Sequence, residues 1–314
     1  MKSLRFSLKL VVLLAILLST ALVAQAQATR TWVASSAGGG SDANPCSRTA
    51  PCLTFAGAIS KTAEGGEIDV VEPGAYGAVT INKAITIDGG TGAGWAGILV
   101  TEGGTAITVN ATGNQKNVIL RNLTLDGARQ AAGSGGGVGI SLIKAGQLHI
   151  ENVTIQNFET SAISIAGADT LKVWMQHVTL LRSVTGVEAS TAAGFSASIY
   201  MDDVSMQGST DGLNAVANAG VAIRNSFFGG NVGTTNGAVK ASSGCTVFVE
   251  NSMFSGNGIA VNAASGGTVT ISNNSFYGNT TALTGAGTIA TATNSNKFFA
   301  NASDGATNAT ITLK

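Results

Sequence analysis

His149, Trp174 and Tyr200 recur at almost equal intervals (174 − 149 = 25; 200 − 174 = 26) in a chain with only two histidines, three tryptophans and three tyrosines. Brought side by side, three such rings offer apolar surface on which a flat or puckered ring can pack. Asp202 and Arg224 recur at a similar interval and add a carboxylate and a guanidinium, groups that hydrogen-bond hydroxyls. That set suits a sugar polymer. Zinc, Ser/His/Asp and nucleotide chemistry find no support in the sequence. No His/Cys/Asp cluster has zinc spacing, and no Ser/His/Asp constellation can be assembled. The glycine-rich segments Ala37–Ser41 and Gly133–Val138 lack the lysine and helix of a phosphate loop.

Rings so far apart meet only if the chain returns to one place at each interval, and its repeat does this. The unit is apolar–x–apolar–x–polar, with another apolar residue three positions on. It reads Val118-Ile-Leu-Arg-Asn122, Leu148-His-Ile-Glu-Asn152, Val173-Trp-Met-Gln-His177 and Ile199-Tyr-Met-Asp-Asp203. Val221-Ala-Ile-Arg-Asn225, Val247-Phe-Val-Glu-Asn251 and Val269-Thr-Ile-Ser-Asn273 follow, then a degenerate copy anchored at Ser295. No copy can bury its apolar face alone, so the copies must stack as a solenoid. Period-2 alternation within each copy indicates strands, and a second strand pattern such as Ala162-Ile-Ser-Ile precedes most copies. Short strands stacked in parallel coils make a single-stranded parallel β-helix, an all-β fold. The 42 glycines then serve the tight bends of each coil.

The alternation assigns faces. Residues two before each anchor point inward and those three before point outward, giving the column Ile119, His149, Trp174, Tyr200, Ala222, Phe248, Thr270. The adjacent outward column is Arg121, Glu151, Gln176, Asp202, Arg224, Glu250, Ser272. Strand spacing of about 4.8 Å makes His149, Trp174 and Tyr200 a contiguous flat strip, and gives roughly ten coils a length of about 50 Å. The anchor residues themselves are expected inside, as a hydrogen-bonded asparagine ladder that includes His177 and Asp203. Phe228, Phe254, Phe276 and Phe298 are expected to stack beside it. Burial of Asn122, Asn152 and Asn273 would keep their N-x-Ser/Thr sequons unglycosylated.

Lys2, Arg5 and Lys9 precede the apolar run Leu10–Leu18 and small residues at Ala24, Ala26 and Ala28. This is the order of a secretory signal peptide, cleaved after Ala26 or Ala28, and it is short for a membrane span. No later segment is apolar enough to span a bilayer. Without that leader, 17 − 3 = 14 basic residues face 17 acidic ones, net −3. Such a balance leaves no basic surplus for nucleic acid. Export places the chain in an oxidising compartment, where the closely spaced Cys46 and Cys52 read as a disulfide. A metal site there lacks further ligands. Cys245 opens a strand pattern and reads as a buried hydrophobe.

Several segments carry a family resemblance: Cys52-Leu-Thr-Phe-Ala-Gly-Ala-Ile-Ser60, Gly65-Gly-Glu-Ile-Asp-Val70, Pro73-Gly-Ala-Tyr76 and Ile85-Thr-Ile-Asp-Gly89. Over residues 31–314 the chain resembles right-handed parallel β-helix proteins of the pectate-lyase-like superfamily. The resemblance implies a short N-terminal helix plugging the open end, here through Leu53, Phe55, Ala56, Ile59 and Ala63. The implied organisation is a leader at 1–26, a cap at 27–66 and coils over 67–314. The resemblance also implies a lyase or hydrolase acting on acidic polysaccharide from the groove along the strand before each corner strand. Glu188, Asp211, Lys240 and Arg129 are its candidates there. A lyase would add calcium, yet no two acidic residues recur in one column of neighbouring coils, so no metal site or other cofactor is assigned. Thr210-Asp211-Gly212 resembles a fragment of the polygalacturonase pattern, but the paired aspartates expected one coil later are missing. The first expectation is therefore a secreted protein recognising an extended polysaccharide or cell-surface glycan. Catalysis is one alternative, and a structural or adhesive surface rod is another.

Overall fold

The structure is a computed structural model that describes residues 27–90, 96–113, 116–130, 133–292 and 294–311. The signal peptide expected at 1–26 lies outside the described residues. The chain forms a parallel β-helix. Its strands stack in a 19-stranded sheet that folds around a corner and a nine-stranded second sheet. Successive coils pair in parallel and in register, as in Gln147–Gln156 on Leu171–Leu181 and Leu171–Leu181 on Ala197–Gln207. No helix among the described residues is long and apolar enough to cross a membrane.

Alternation decides what is buried. Leu148, Ile150, Val153 and Ile155 are at most 1% exposed, and the same positions of neighbouring coils repeat the pattern. Phe228, Phe254, Phe276 and Phe298 form the expected interior stack, with ring centroids 4.8–4.9 Å apart and planes within 7°.

The corners differ from the sequence expectation. Asn122, Asn152, His177, Asp203, Asn225, Asn251 and Asn273 all take the left-handed conformation, with φ between 49° and 58°. Asn and Asp tolerate that region better than other non-glycine residues, which accounts for their recurrence. A left-handed residue also resets the alternation, so two consecutive side chains point outward and the next one points in. The anchors therefore stand outside. The side chains of His177 and Asp203 are 61% and 65% exposed and lie 3.4 Å apart. The anchors do pile in line: Asn152 Nδ2 donates to Asn122 Oδ1 at 2.8 Å, and Asn251 Nδ2 to Asn225 Oδ1 at 2.6 Å. Burial consequently gives no reason to exclude glycosylation at those sequons. In the last coil the left-handed corner is Asn294, immediately before Ser295.

The interior ladder is made by the residue after each anchor, Ser295 included. The Ser226 amide donates to Ser252 Oγ, Ser252 N to Asn274 Oδ1, and Asn274 N to Asn296 Oδ1, at 2.9–3.1 Å. A second buried ladder runs through Asn231, Asn257, Asn279 and Asn301, each three positions after a stacked phenylalanine. It follows a second left-handed corner, where Gly230 and Gly256 (φ 62° and 65°) avoid the Cβ penalty of that conformation.

At the N-terminal end the helix is shorter than expected, Phe55–Ile59, with Thr54 as N-cap accepting from Gly57 N at 2.9 Å. Phe55 and Ala58 are buried and Ile59 packs on the core. Leu53 and Ala56 are exposed, and Ala63 lies in the strand Thr62–Val70, because the chain turns into that strand after little more than one helical turn. Ala28–Val33 already pairs in parallel with Thr62–Val70. Cys46 and Cys52 form a buried disulfide, and Cys245 is buried, which pushes its thiol pKa up. Tyr76 of the Pro-Gly-Ala-Tyr element packs on Phe55 with centroids 5.4 Å apart and donates to Glu72 O. Burial pushes its phenol pKa up to about 12.

Candidate functional site

The register expected for the two columns is observed, although Ser272 at the end of the polar column is buried, at 4% exposure. His149 pairs with Trp174, Trp174 with Tyr200, Tyr200 with Ala222, and Ala222 with Phe248. Beside them run Glu151, Gln176, Asp202, Arg224 and Glu250. The two columns line a cavity of about 510 Å³, within the usual range for small-ligand sites. Tyr200 is 47% and Phe248 38% exposed, although both are large apolar rings on regular strands.

The rings are not laid flat as a strip, which corrects the expected geometry. His149 and Trp174 stack with centroids 4.7 Å apart and planes 6° from parallel; Trp174 and Tyr200 stack at 5.6 Å and 16°. Each inner face therefore covers a neighbour, because strand spacing is close to the stacking distance of aromatic rings. Ring edges face outward, and the far face of Tyr200 looks along the column to the Ala222 coil.

The polar column is partly engaged. Arg224 Nη2 donates to Asp202 Oδ2 at 3.0 Å, and Asn225 Nδ2 to Asp202 Oδ1 at 2.8 Å. The Asn225 hydrogen bond first, and the Arg224 guanidinium after it, hold the Asp202 carboxyl below its ordinary pKa. Glu151 and Glu250 make no ion pair among the described residues. The site is a polar-edged ring ladder with acceptors and one guanidinium open to water.

Of the residues implied by the family resemblance, Glu188, Asp211 and Lys240 are on the second sheet, and Arg129 lies in the loop after the strand Thr124–Asp126. Glu188, Asn214 and Lys240 share an outward column, so Glu188 and Lys240 are two coils apart. Asp211 is 8% exposed and accepts from Asn236 Nδ2 at 2.7 Å and Gly237 N at 3.3 Å. Lys240 Nζ donates to Asn236 Oδ1 at 2.7 Å, so Asn236 joins Asp211 to Lys240. Arg129 is engaged elsewhere, 3.4 Å from Glu159. The Gly133 amide first, then Gly135 and Arg129, hold Glu159 below the usual carboxylate range.

One cluster escaped the sequence reading. Glu67, Asp69 and Asp88 bring carboxylate oxygens within 4.8 Å of one another at the N-terminal end of the aromatic face. Arg30 pairs with Glu67 and Asp69, and Arg121 with Glu67 and Asp88. Two guanidinium groups thus occupy the positions between the carboxylates. Burial, followed by the neighbouring Asp69, pushes Glu67 up; burial of Asp88 is outweighed by Asn122, Gly90 and Arg121, which hold it down. Arg30, Glu67, Asp88 and Arg121 fall at unequal intervals that do not follow the regular repeat.

No protein-family model matches this sequence, and no curated protein matches it. Solved structures do. Pectate lyase Pel9A superposes with a TM-score of 0.50 at 14% identity, over 85% of this chain and 79% of that one. A tailspike protein gp49 from Acinetobacter baumannii bacteriophage Fri1, a capsular polysaccharide depolymerase, gives 0.48 at 12% identity. That match covers 76% of this chain and 57% of the tailspike, so the chain spans little more than half the tailspike's length. The GH136 lacto-N-biosidase from Eubacterium ramulus gives 0.47 at 10% identity, over 90% of this chain and 66% of that one. The protein is an all-β parallel solenoid, and its fold is that of the pectate lyase; at these identities the likeness is one of fold alone.

Proposed function

We propose that the protein is exported and binds an extended polysaccharide along the outer face that carries His149, Trp174 and Tyr200. The observation that carries this reading is the cavity of about 510 Å³ with half-exposed Tyr200 and Phe248 beside Glu151, Asp202 and Arg224. Exposed apolar surface rimmed by polar groups is the usual mark of a binding site. Successive coils repeat the same columns, so the face extends along one direction, as a polymer requires. The fold shared with a pectate lyase supports a glycan partner in general terms. Export is supported by the basic start, apolar run and small residues of 1–26 and by the Cys46–Cys52 disulfide. The same reading takes 27–66 as a cap and 67–314 as the coils that carry the face.

Binding without catalysis is the form proposed. Asp211 is 8% exposed and engaged by Asn236 and Gly237, Arg129 pairs with Glu159, and Glu188 and Lys240 stand two coils apart, so the four candidates do not converge on one point. The test is titration of wild type and a Trp174→Ala/Tyr200→Ala double variant against a glycan array, followed by calorimetry. Loss of about a hundredfold in affinity is expected, from two stacking partners at roughly 1.4 kcal/mol each. Equal binding by both proteins overturns the site.

A further inference from the structure

The outer ring ladder stops abruptly. His149, Trp174 and Tyr200 stack in consecutive coils, the next coil presents Ala222, and Phe248 follows in the coil after that. Inside the Ala222 coil and the two after it, Phe228, Phe254 and Phe276 show what an unbroken column does: rings 4.9 Å apart fill each of those levels. At Ala222 one ring is missing, and Tyr200 and Phe248 are the exposed aromatic residues on either side.

Two strand steps separate those residues, roughly 9.6 Å at about 4.8 Å per step. A ring seated midway lies about 4.8 Å from each level, looser than the roughly 3.5–4.0 Å contact of flat carbon surfaces. A puckered pyranose with axial hydrogens takes up that slack better than a planar ring. The charge around the gap narrows the ligand further. At the three levels of the gap, Asp202 and Glu250 face one cation, Arg224, so its lining carries 1 − 2 = −1. Arg224 is already paired with Asp202. A uronate would meet the unpaired Glu250 carboxylate, whereas a hydroxyl or amide of an uncharged sugar would find an acceptor in it.

We infer that the Ala222 gap is a one-ring subsite that takes an uncharged pyranose between Tyr200 and Phe248 and rejects uronates. The inference rests on the glycan-binding reading of this face and specifies its ligand.

The test uses calorimetric titration of the full chain with hexasaccharides of N-acetylglucosamine, glucose, xylose and galacturonate. The proteins are wild type, Ala222→Phe, Ala222→Gly, Phe248→Ala and the Trp174→Ala/Tyr200→Ala variant. Ala222→Phe should continue the stack, fill the gap and weaken binding of the uncharged oligomer by at least about tenfold, with Ala222→Gly unchanged. Phe248→Ala removes the far wall without adding bulk and should also weaken binding. Uncharged oligomers should bind about tenfold or more tighter than oligogalacturonate in wild type. If the double variant loses binding while Ala222→Phe and Phe248→Ala keep it, the gap is not a subsite and the wider face remains the site. If all variants bind like wild type, or wild type binds no oligomer, both readings fall. Tighter binding of oligogalacturonate overturns the charge argument.

Discussion

Two aromatic ladders run through the same solenoid with nearly the same stacking geometry. The inner one is four identical phenylalanines, with Phe228, Phe254 and Phe276 fully buried. The outer one is His149, Trp174 and Tyr200, three different rings, partly exposed and broken at Ala222. Stacking itself comes free with a register in which each coil lies above the last. What differs is the solvent on the other side of the ring. Inside, a ring that is lost leaves a void that the coils above and below cannot fill. Outside, water fills any gap, so the column tolerates variety and interruption, and an interruption becomes a place for a ligand.

The largest difference between the ladders should appear in stability. Phe254→Ala removes a ring between two others at 4.9 Å and should cost about 3–5 kcal/mol in chemical denaturation. Trp174→Ala removes a partly exposed ring between His149 and Tyr200 and should cost no more than about 1.5 kcal/mol in stability, while weakening glycan binding about tenfold. Equal destabilisation by the two changes would mean that the outer ladder is core by another name.

The amide ladders allow the same contrast at a smaller scale. Asn257 is 1% exposed; its Oδ1 accepts from Asn231 N and Nδ2, and its Nδ2 donates to Phe228 O and Asn279 Oδ1. Asn257→Ala strands those groups in the interior and should cost about 1–3 kcal/mol in a thermal or urea melt. Asn251→Gly deletes an exposed amide at a left-handed corner where glycine suits the backbone, and should be close to neutral. A larger loss from Asn251→Gly than from Asn257→Ala would reverse the inside and outside assigned to the two ladders.

The sequence carried the register and not the side-chain environment. Anchors recurring once per coil placed His149, Trp174 and Tyr200 in one column, and the interior phenylalanine stack followed from the same count. The corner asparagines were legible as a line and misread as interior, because alternation gives no warning that a left-handed residue shifts its phase. Serine and asparagine at anchor plus one, and asparagine three after each phenylalanine, were the signals of the true interior ladders. Orientation of the outer rings was also hidden, since a column lists neighbours without saying whether faces or edges meet water. Ala222 stood in that column from the start; its small size was the unread feature. The Arg30, Glu67, Asp69, Asp88 and Arg121 cluster lay beyond reach, because its intervals do not follow the repeat.

The smallest effect concerns pH, and it separates the amide ladders by chemistry. The inner ladder through Ser226, Ser252, Asn274 and Asn296 joins uncharged side chains and has nothing to titrate. The outer one ends on a carboxylate: Asn251 donates to Asn225, and Asn225 to Asp202, which also takes Arg224. The folded protein holds Asp202 below its usual pKa, so its contribution is present above the unfolded value of about 3.9 and is lost as pH falls through the lower folded value. That loss should begin below about pH 4 and stay within about 1 kcal/mol, because Arg224 is exposed and solvent screens the pair. Asp202→Asn keeps an acceptor for Asn225 and removes the charge, so it should flatten this part of the stability profile between about pH 6 and about pH 3. Asp88, more buried and held down by Asn122, Gly90 and Arg121, should leave a steeper acid loss that Asp202→Asn does not touch. If Asp202→Asn flattened the whole acid profile, the wet ladder would be holding the coils together, and the division between a structural interior and a free outer face would fail.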